Sequence, residues 1–308
     1  MNSPAPIPGP GGLPFVADNV RAISWILLSV MASSAMTIAV RQSSLEIDTR
    51  MVVFLRFAAG TVLLAVYYLW WRRDGSRLRF SRPVLHLVRG LLMAISTHLG
   101  FYAIANLELV TATVLFFCAP IFATIFAGLI HGEMAGPRRL AAVAVGFAGV
   151  LVVLRPGFDA VDPAMVIALG SAVLFGLALV LSRPLAVADG AFSALFTTTL
   201  ITAIFSIPLA VPVWQMPSAT TTWFAIGALI VTGIVRMAAD LQAYRIGEAA
   251  SLAPITYLRL VLIGGAAYFI YGEVPDPTAL LGAAVIVGAA MYIARRESVI
   301  RKRNSTEA

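Results

Sequence analysis

The 308 residues are 60% hydrophobic and only 12% charged, with a mean hydropathy of +0.90 and a formal net charge of +7. A soluble domain carries about twice that charged fraction, so an aqueous enzyme or a soluble nucleic-acid-binding domain is excluded. The single Cys118 leaves no partner for an internal disulfide and no thiolate cluster for a metal.

In chain order, Met1–Gly12 is rich in Pro and Gly, with neither a basic head nor an apolar run. It reads as part of a flexible cytoplasmic tail (residues 1–19) and not as a cleavable signal peptide. A membrane span needs roughly 20 mostly apolar residues. Ten stretches qualify: Ile23–Val40, Met51–Trp71, Val84–Ala105, Leu109–Ile130, Leu140–Leu154, Ala164–Leu181, Phe192–Val213, Thr222–Ala243, Ala249–Ile270 and Thr278–Ala294. The expected fold is therefore an all-α integral membrane protein. The basic segment 297–308 is expected as a second cytoplasmic tail.

The basic residues fix an orientation. Arg21, the Arg72–Arg82 loop, Arg138, Arg139, Arg183, Arg245 and the run from Arg295 to Arg303 share one side, against Arg41, Arg50 and Arg155 on the other. An excess of Lys and Arg marks the cytoplasmic side, which places both termini there. The net positive charge is then a topology signal that also suits anionic lipid heads, and it gives no reason to expect a nucleic-acid partner.

Shifting the chain by 140 residues lays Phe101–Glu133 over Leu241–Glu273. Ala103/Ala243, Glu108/Glu248, Ala127/Ala267, Ile130/Ile270 and Gly132-Glu133/Gly272-Glu273 coincide, and Thr111/Ser251 and Phe117/Tyr257 are near matches. A further one-residue shift aligns Gly149 with Gly288. Each half holds five spans, an odd number, so the second half enters the membrane the opposite way. Residues 20–156 and 157–296 are expected as two inverted five-helix repeats around a central cavity, the architecture of many secondary transporters.

With ten spans in a 5+5 arrangement, Pro120 in the fourth span, Gly-Glu closing the fourth and ninth, and glycines at 146, 149, 282 and 288, the chain resembles the EamA-type drug/metabolite transporter superfamily. The resemblance runs from about Val20 to Arg296. It implies a helical bundle with a central cavity that moves small metabolites, a group that includes amino-acid exporters and carriers for riboflavin or S-adenosylmethionine. One departure is Leu260 where the aligned half has Pro120, with Pro254 displaced by six residues.

An ionisable group at membrane depth costs several kcal/mol on most scales and needs a reason. Arg259 near the middle of the ninth span, and His98 in the third, are candidate cavity residues. Arg236 and Asp240, spaced i,i+4, share a helix face and neutralise each other. Asp240 is the only acid well inside any span, and its pairing with Arg236 suits a fixed charge better than a proton carrier. Proton coupling through a carboxylate is thus poorly supported, which leaves downhill transport or His98 as carrier. Ser33 and Thr37 of the first span, Phe101 and Tyr102 of the third and Tyr257 of the ninth complete the expected substrate-binding set: Ser33, Thr37, His98, Phe101, Tyr102, Arg236, Asp240, Tyr257 and Arg259. Arg56 is expected to reach the outer interface, and Arg89 to anchor the inner one. Ala142/Gly146 and Ala284/Gly288 give the fifth and tenth spans small faces suited to scaffold or a dimer contact.

His86, His98 and His131 are scattered, and the sequence carries no nucleophile elbow or phosphate loop. The expectation is no enzyme and no cofactor, but a multi-pass carrier of the bacterial inner membrane, monomeric or weakly dimeric, contacting lipid and a small solute. Export of amino acids, aromatic ones included, leads. Uptake of a cofactor-like solute and drug efflux are the alternatives.

Overall fold

The computed structural model describes residues 19–70, 78–131, 137–154, 162–246, 252 and 255–306. They form eleven helices: α1 (Asn19–Ser44), α2 (Thr49–Trp70), α3 (Pro83–Asn106), α4 (Leu109–Phe116), α5 (Ala119–His131), α6 (Pro137–Leu154), α7 (Pro163–Asp189), α8 (Ala191–Ala210), α9 (Thr220–Ile246), α10 (Leu258–Ala266) and α11 (Pro277–Thr306). There is no strand among the described residues. Seven segments are long and apolar enough to cross a membrane, α4 and α5 together counting as one. Three shorter apolar helices, Leu140–Leu154, Leu258–Tyr271 and Pro277–Ile293, accompany them. Helices dominate for a physical reason: in hydrocarbon every backbone N–H and C=O must be satisfied within its own segment. Hydroxyls obey the same rule. Thr37, Thr97, Thr113, Thr124 and Ser206 each donate to the carbonyl four residues back.

Over the described residues the expected spans follow these helices, the seventh ending in a 3-10 turn at Val211–Val213, with three larger differences. The fourth is divided, because α4 ends at Phe116 and α5 begins at Ala119 with Pro120 in its first turn. Proline lacks the N–H that would continue the ladder, and Phe117 and Cys118 bridge the break through tighter bonds to Val114 and Leu115. The ninth ends in a π-helical turn, Ala267–Tyr271, closed by Gly272 in the left-handed region (φ 68°). The last helix runs on through Thr306, so most of the expected tail 297–308 is helical. Glu133, Arg155, Glu248 and Pro254, and with them two ends of the repeat alignment, lie outside the described residues.

Helices pack in pairs drawn from the two halves: α1 along α9, α3 along α7, α6 along α11 and α2 along α8. α5 also meets α7, α10 meets α1, and α4 meets α10. Close backbone approach sets the α6–α11 pair. A Cβ on Gly282 would lie 2.3 Å from Val153 Cγ2 and 3.0 Å from the Gly149 carbonyl, and one on Gly149 would lie 2.8 Å from Ile286. The small face expected for the fifth span, Ala142/Gly146, is buried, whereas Ala284 and Gly288 of the tenth are exposed, and it is Gly282 on the other side of α11 that meets α6. Gly288 itself has nothing within 4 Å. Large apolar side chains such as Trp70, Phe224, Val261 and Phe269 point outward, as a lipid-facing belt requires.

Candidate functional site

A cavity of about 450 Å³ lies at the centre of the bundle, within the 300–1,000 Å³ typical of small-molecule sites. α1, α2, α3, α4, α5, α7, α8, α9 and α10 contribute to its wall; none of the described lining residues comes from α6 or α11. Most of the wall is apolar or aromatic, including Met36, Phe57, Phe101, Phe116 and Phe117. Set into it are three guanidinium groups, Arg56 of α2, Arg236 of α9 and Arg259 of α10, with the hydroxyls of Ser33, Ser96, Thr97 and Thr198.

Four of the nine expected residues line this space: Ser33, Phe101, Arg236 and Arg259. Thr37 stands behind the wall, fully buried, and its Oγ1 accepts a bond of 2.9 Å from Arg259 Nη2. Asp240 also lies behind it: its carboxylate accepts from Ser29 Oγ and sits 3.4 Å from Arg236 Nη1. Tyr257 backs the wall edge-on to the Phe117 ring at 5.1 Å. His98 is not a lining residue. It points into the α3–α8 seam, where Nε2 bonds Ser206 Oγ at 2.8 Å beside Phe205, so its polarity is satisfied by packing. Tyr102 is 42% exposed on the outer surface of α3. One residue before it Phe101 points inward, and a helix turns its face by 100° per residue.

Two expectations about arginines are overturned. Arg56 does not extend to the interface. It folds inward over the rings of Phe57 (4.9 Å) and Phe101 (5.5 Å) and donates to Met36 Sδ at 3.3 Å. Gly233 makes this possible, because a Cβ there would come within 2.9 Å of Arg56 Nη2. Arg89 is no mere anchor either. It donates to Ser182 Oγ, the Ala194 carbonyl and Thr198 Oγ1, tying α3 to α7 and α8. A side chain's direction along a helix surface depends on its neighbours in space, and depth within a span carries no such information.

The two ends of the bundle are built differently. Toward the end where α1 meets α2, the cavity is sealed by buried Val40, Met51, Val52, Leu109, Leu229 and Ile263. Beyond this plug, Arg41 donates to the carbonyls of Ala105 (2.6 Å) and Leu107 (2.8 Å) and to Glu273, whose second oxygen accepts the Leu109 N–H at 2.8 Å. One ion pair thereby joins the ends of α1 and α3, the start of α4 and the turn before α11. Burial, with the negative charges of Glu273 and Asp276, pushes the Glu108 carboxyl up from its ordinary value. Glu46 accepts from Ser218 and Ala219 at the start of α9, and bonds from Thr222 and Ser218 lower its carboxyl to about 2. Toward the other end, the cavity wall continues through Leu64, Leu179 and Leu195. There His86 bonds Asp189 at 3.0 Å and Thr197 at 2.9 Å, and the Ser81 N–H donates to Asp189.

Among known proteins, the profile of the EamA-like transporter family matches residues 20–155 and 162–295. An S-adenosylmethionine uptake transporter of Rickettsia bellii is 30% identical over 88% of this chain and 92% of its own. A pseudopaline exporter of Pseudomonas aeruginosa is 29% identical over 88% and 96%, and a riboflavin transporter of Vibrio cholerae 27% identical over 91% and 94%. One crystal structure superposes with a TM-score of 0.60 over 90% of this chain and 98% of its own, at 22% identity, a likeness of fold alone.

Proposed function

The chain belongs to the EamA-like transporter family, a multi-pass membrane transporter and not an enzyme, and from that premise we propose that it carries a small metabolite by alternating access through the central cavity. In this reading ten helices span the membrane as two inverted five-helix repeats. The contacts support it. Exchanging each span with its counterpart five spans on turns the α1–α9 pair into α7–α3, and α5–α7 into α10–α1. The α2–α8, α4–α10 and α6–α11 pairs map onto themselves. The two segments matched by the family profile agree with the same division. The distribution of Lys and Arg favours an inner-membrane orientation with both termini cytoplasmic. The sealed, ion-paired end at Arg41–Glu273 is then the outer one, and the described conformation is closed to the outside.

The observation that carries the proposal is a polar-studded cavity, walled by both halves and shut at one end by contacts that can break without unfolding a helix. Amino acids moving outward are the leading cargo: the guanidinium groups suit a carboxylate and the rings suit an apolar side chain. Uptake of a larger solute is the second reading, favoured by relatives named for S-adenosylmethionine uptake and riboflavin transport. Counterflow in proteoliposomes preloaded with mixed amino acids, and in parallel with S-adenosylmethionine or riboflavin, each with and without a pH gradient, tests the proposal. Saturable exchange of an amino acid supports the first reading. Exchange of S-adenosylmethionine or riboflavin alone supports the second. Absence of any exchange by folded protein contradicts both.

A further inference from the structure

Resting on the transport reading, we propose that the solute carries two anionic groups, at least one of them a carboxylate, on an apolar or aromatic body. Arg56, Arg236 and Arg259 all face the cavity, and among the described residues no Asp or Glu lines it. Asp240, behind the wall, offsets one of the three charges through Arg236. Among the described residues one carboxylate thus faces three guanidinium groups, a surplus of two positive charges: the charge of Arg236 is felt at both Arg56 and Arg259, and Asp240 offsets Arg259 only in part.

The protein's own groups do not exhaust these donors. The Nε atoms of Arg236 and Arg259 are buried with no hydrogen-bond partner. Arg259 has Thr37 as its acceptor, and Arg56 has a thioether and two aromatic faces. Guanidinium is a planar fork that matches a carboxylate or phosphate bidentately, and in a low-dielectric site a buried charge without a counter-charge is costly. Unoffset like charges in an otherwise apolar chamber therefore act as a receptor for a dianion. A monocarboxylate zwitterion brings one anion and a cation of its own, and leaves the surplus in place. The aromatic wall accommodates the body between the two anionic ends.

The test uses the full-length protein in lipid nanodiscs and four probes on one scaffold: L-phenylalanine, 4-carboxy-L-phenylalanine, O-phospho-L-tyrosine and 4-amino-L-phenylalanine. The expected result is binding of the carboxy or phospho probe at least tenfold tighter than phenylalanine, weakened by salt. Preference between those two assigns the second anion to carboxylate or phosphate. Arg259→Gln and Arg56→Gln should each remove the preference, and Arg259→Lys should retain part of it. Because the empty site holds like charges, each Gln variant should also melt at a higher temperature than the ligand-free parent. Equal or tighter binding of phenylalanine or the amino probe overturns the proposal. So does the absence of binding by all four probes together with Gln variants that melt no higher than the parent. Counterflow of a zwitterion with no charge preference would defeat this inference alone and leave the transport reading standing.

Discussion

Arg259 and His98 both lie near the middle of their expected spans, and only Arg259 lines the cavity. Arg259 reaches the chamber with Thr37 as its acceptor, whereas His98 satisfies Ser206 in a helix seam. Removing the acceptor of a charged donor in a buried site costs about 1–3 kcal/mol. Thr37→Val should therefore lower the melting temperature and also reduce solute affinity, because Arg259 loses its orientation. His98→Ala should cost about 1 kcal/mol of stability through the lost bond, with affinity unchanged. Binding and melting measured on the same preparations separate the two outcomes. Depth in a span picked out both residues correctly as polar groups in need of a reason. It could not say which neighbour supplied that reason. Arg56 shows the same limit, since its inward turn depends on the space left by Gly233 of a distant helix.

At the scale of elements, hydropathy located the helices well because a membrane span must be both apolar and long. It gave no sign of the break at Phe117–Cys118, where the apolar character continues unchanged and only Pro120 signals the interruption. Of the small faces expected for the fifth and tenth spans only that of α6 is buried; Gly149 and Gly282 make the contact, and Ala284 and Gly288 are exposed. Gly282→Leu drives a side chain into Val153 and the Gly149 carbonyl, and overpacking of this kind costs about 1–3 kcal/mol. It should lower the melting temperature while the folded fraction keeps parental transport, since neither helix lines the cavity. The Glu46 link to α9 carries a pH signature. Its folded pKa of about 2 lies below the ordinary glutamate value of 4.5, so its contribution is complete above pH 4.5 and is lost as pH falls toward 2. Glu46→Gln should flatten the acid limb of a melting-temperature profile between those limits. A profile identical to the parent's would mean that the link contributes nothing.

For the whole molecule, the two-fold pattern of helix contacts and the asymmetry of the ends belong together. In the proposed reading, two quasi-equivalent halves close either end at similar cost, and the Arg41–Glu273 pair and the apolar plug close one of them. Glu273→Gln weakens that closure and should shift the population toward the opposite state. The all-helical membrane fold was legible in the apolar runs. The ion pair was not, because residues 232 positions apart meet only in the fold.

The most direct measurement is side-specific labelling of Thr97→Cys, a cavity position, in a Cys118→Ser background that removes the single native thiol. A membrane-impermeant maleimide is applied from either face of oriented proteoliposomes. Alternating access predicts labelling from both faces, slowed by transported solute, with the outer-face rate raised by Glu273→Gln. Labelling from one face alone, in folded protein and in the Glu273→Gln variant as well, would contradict the account.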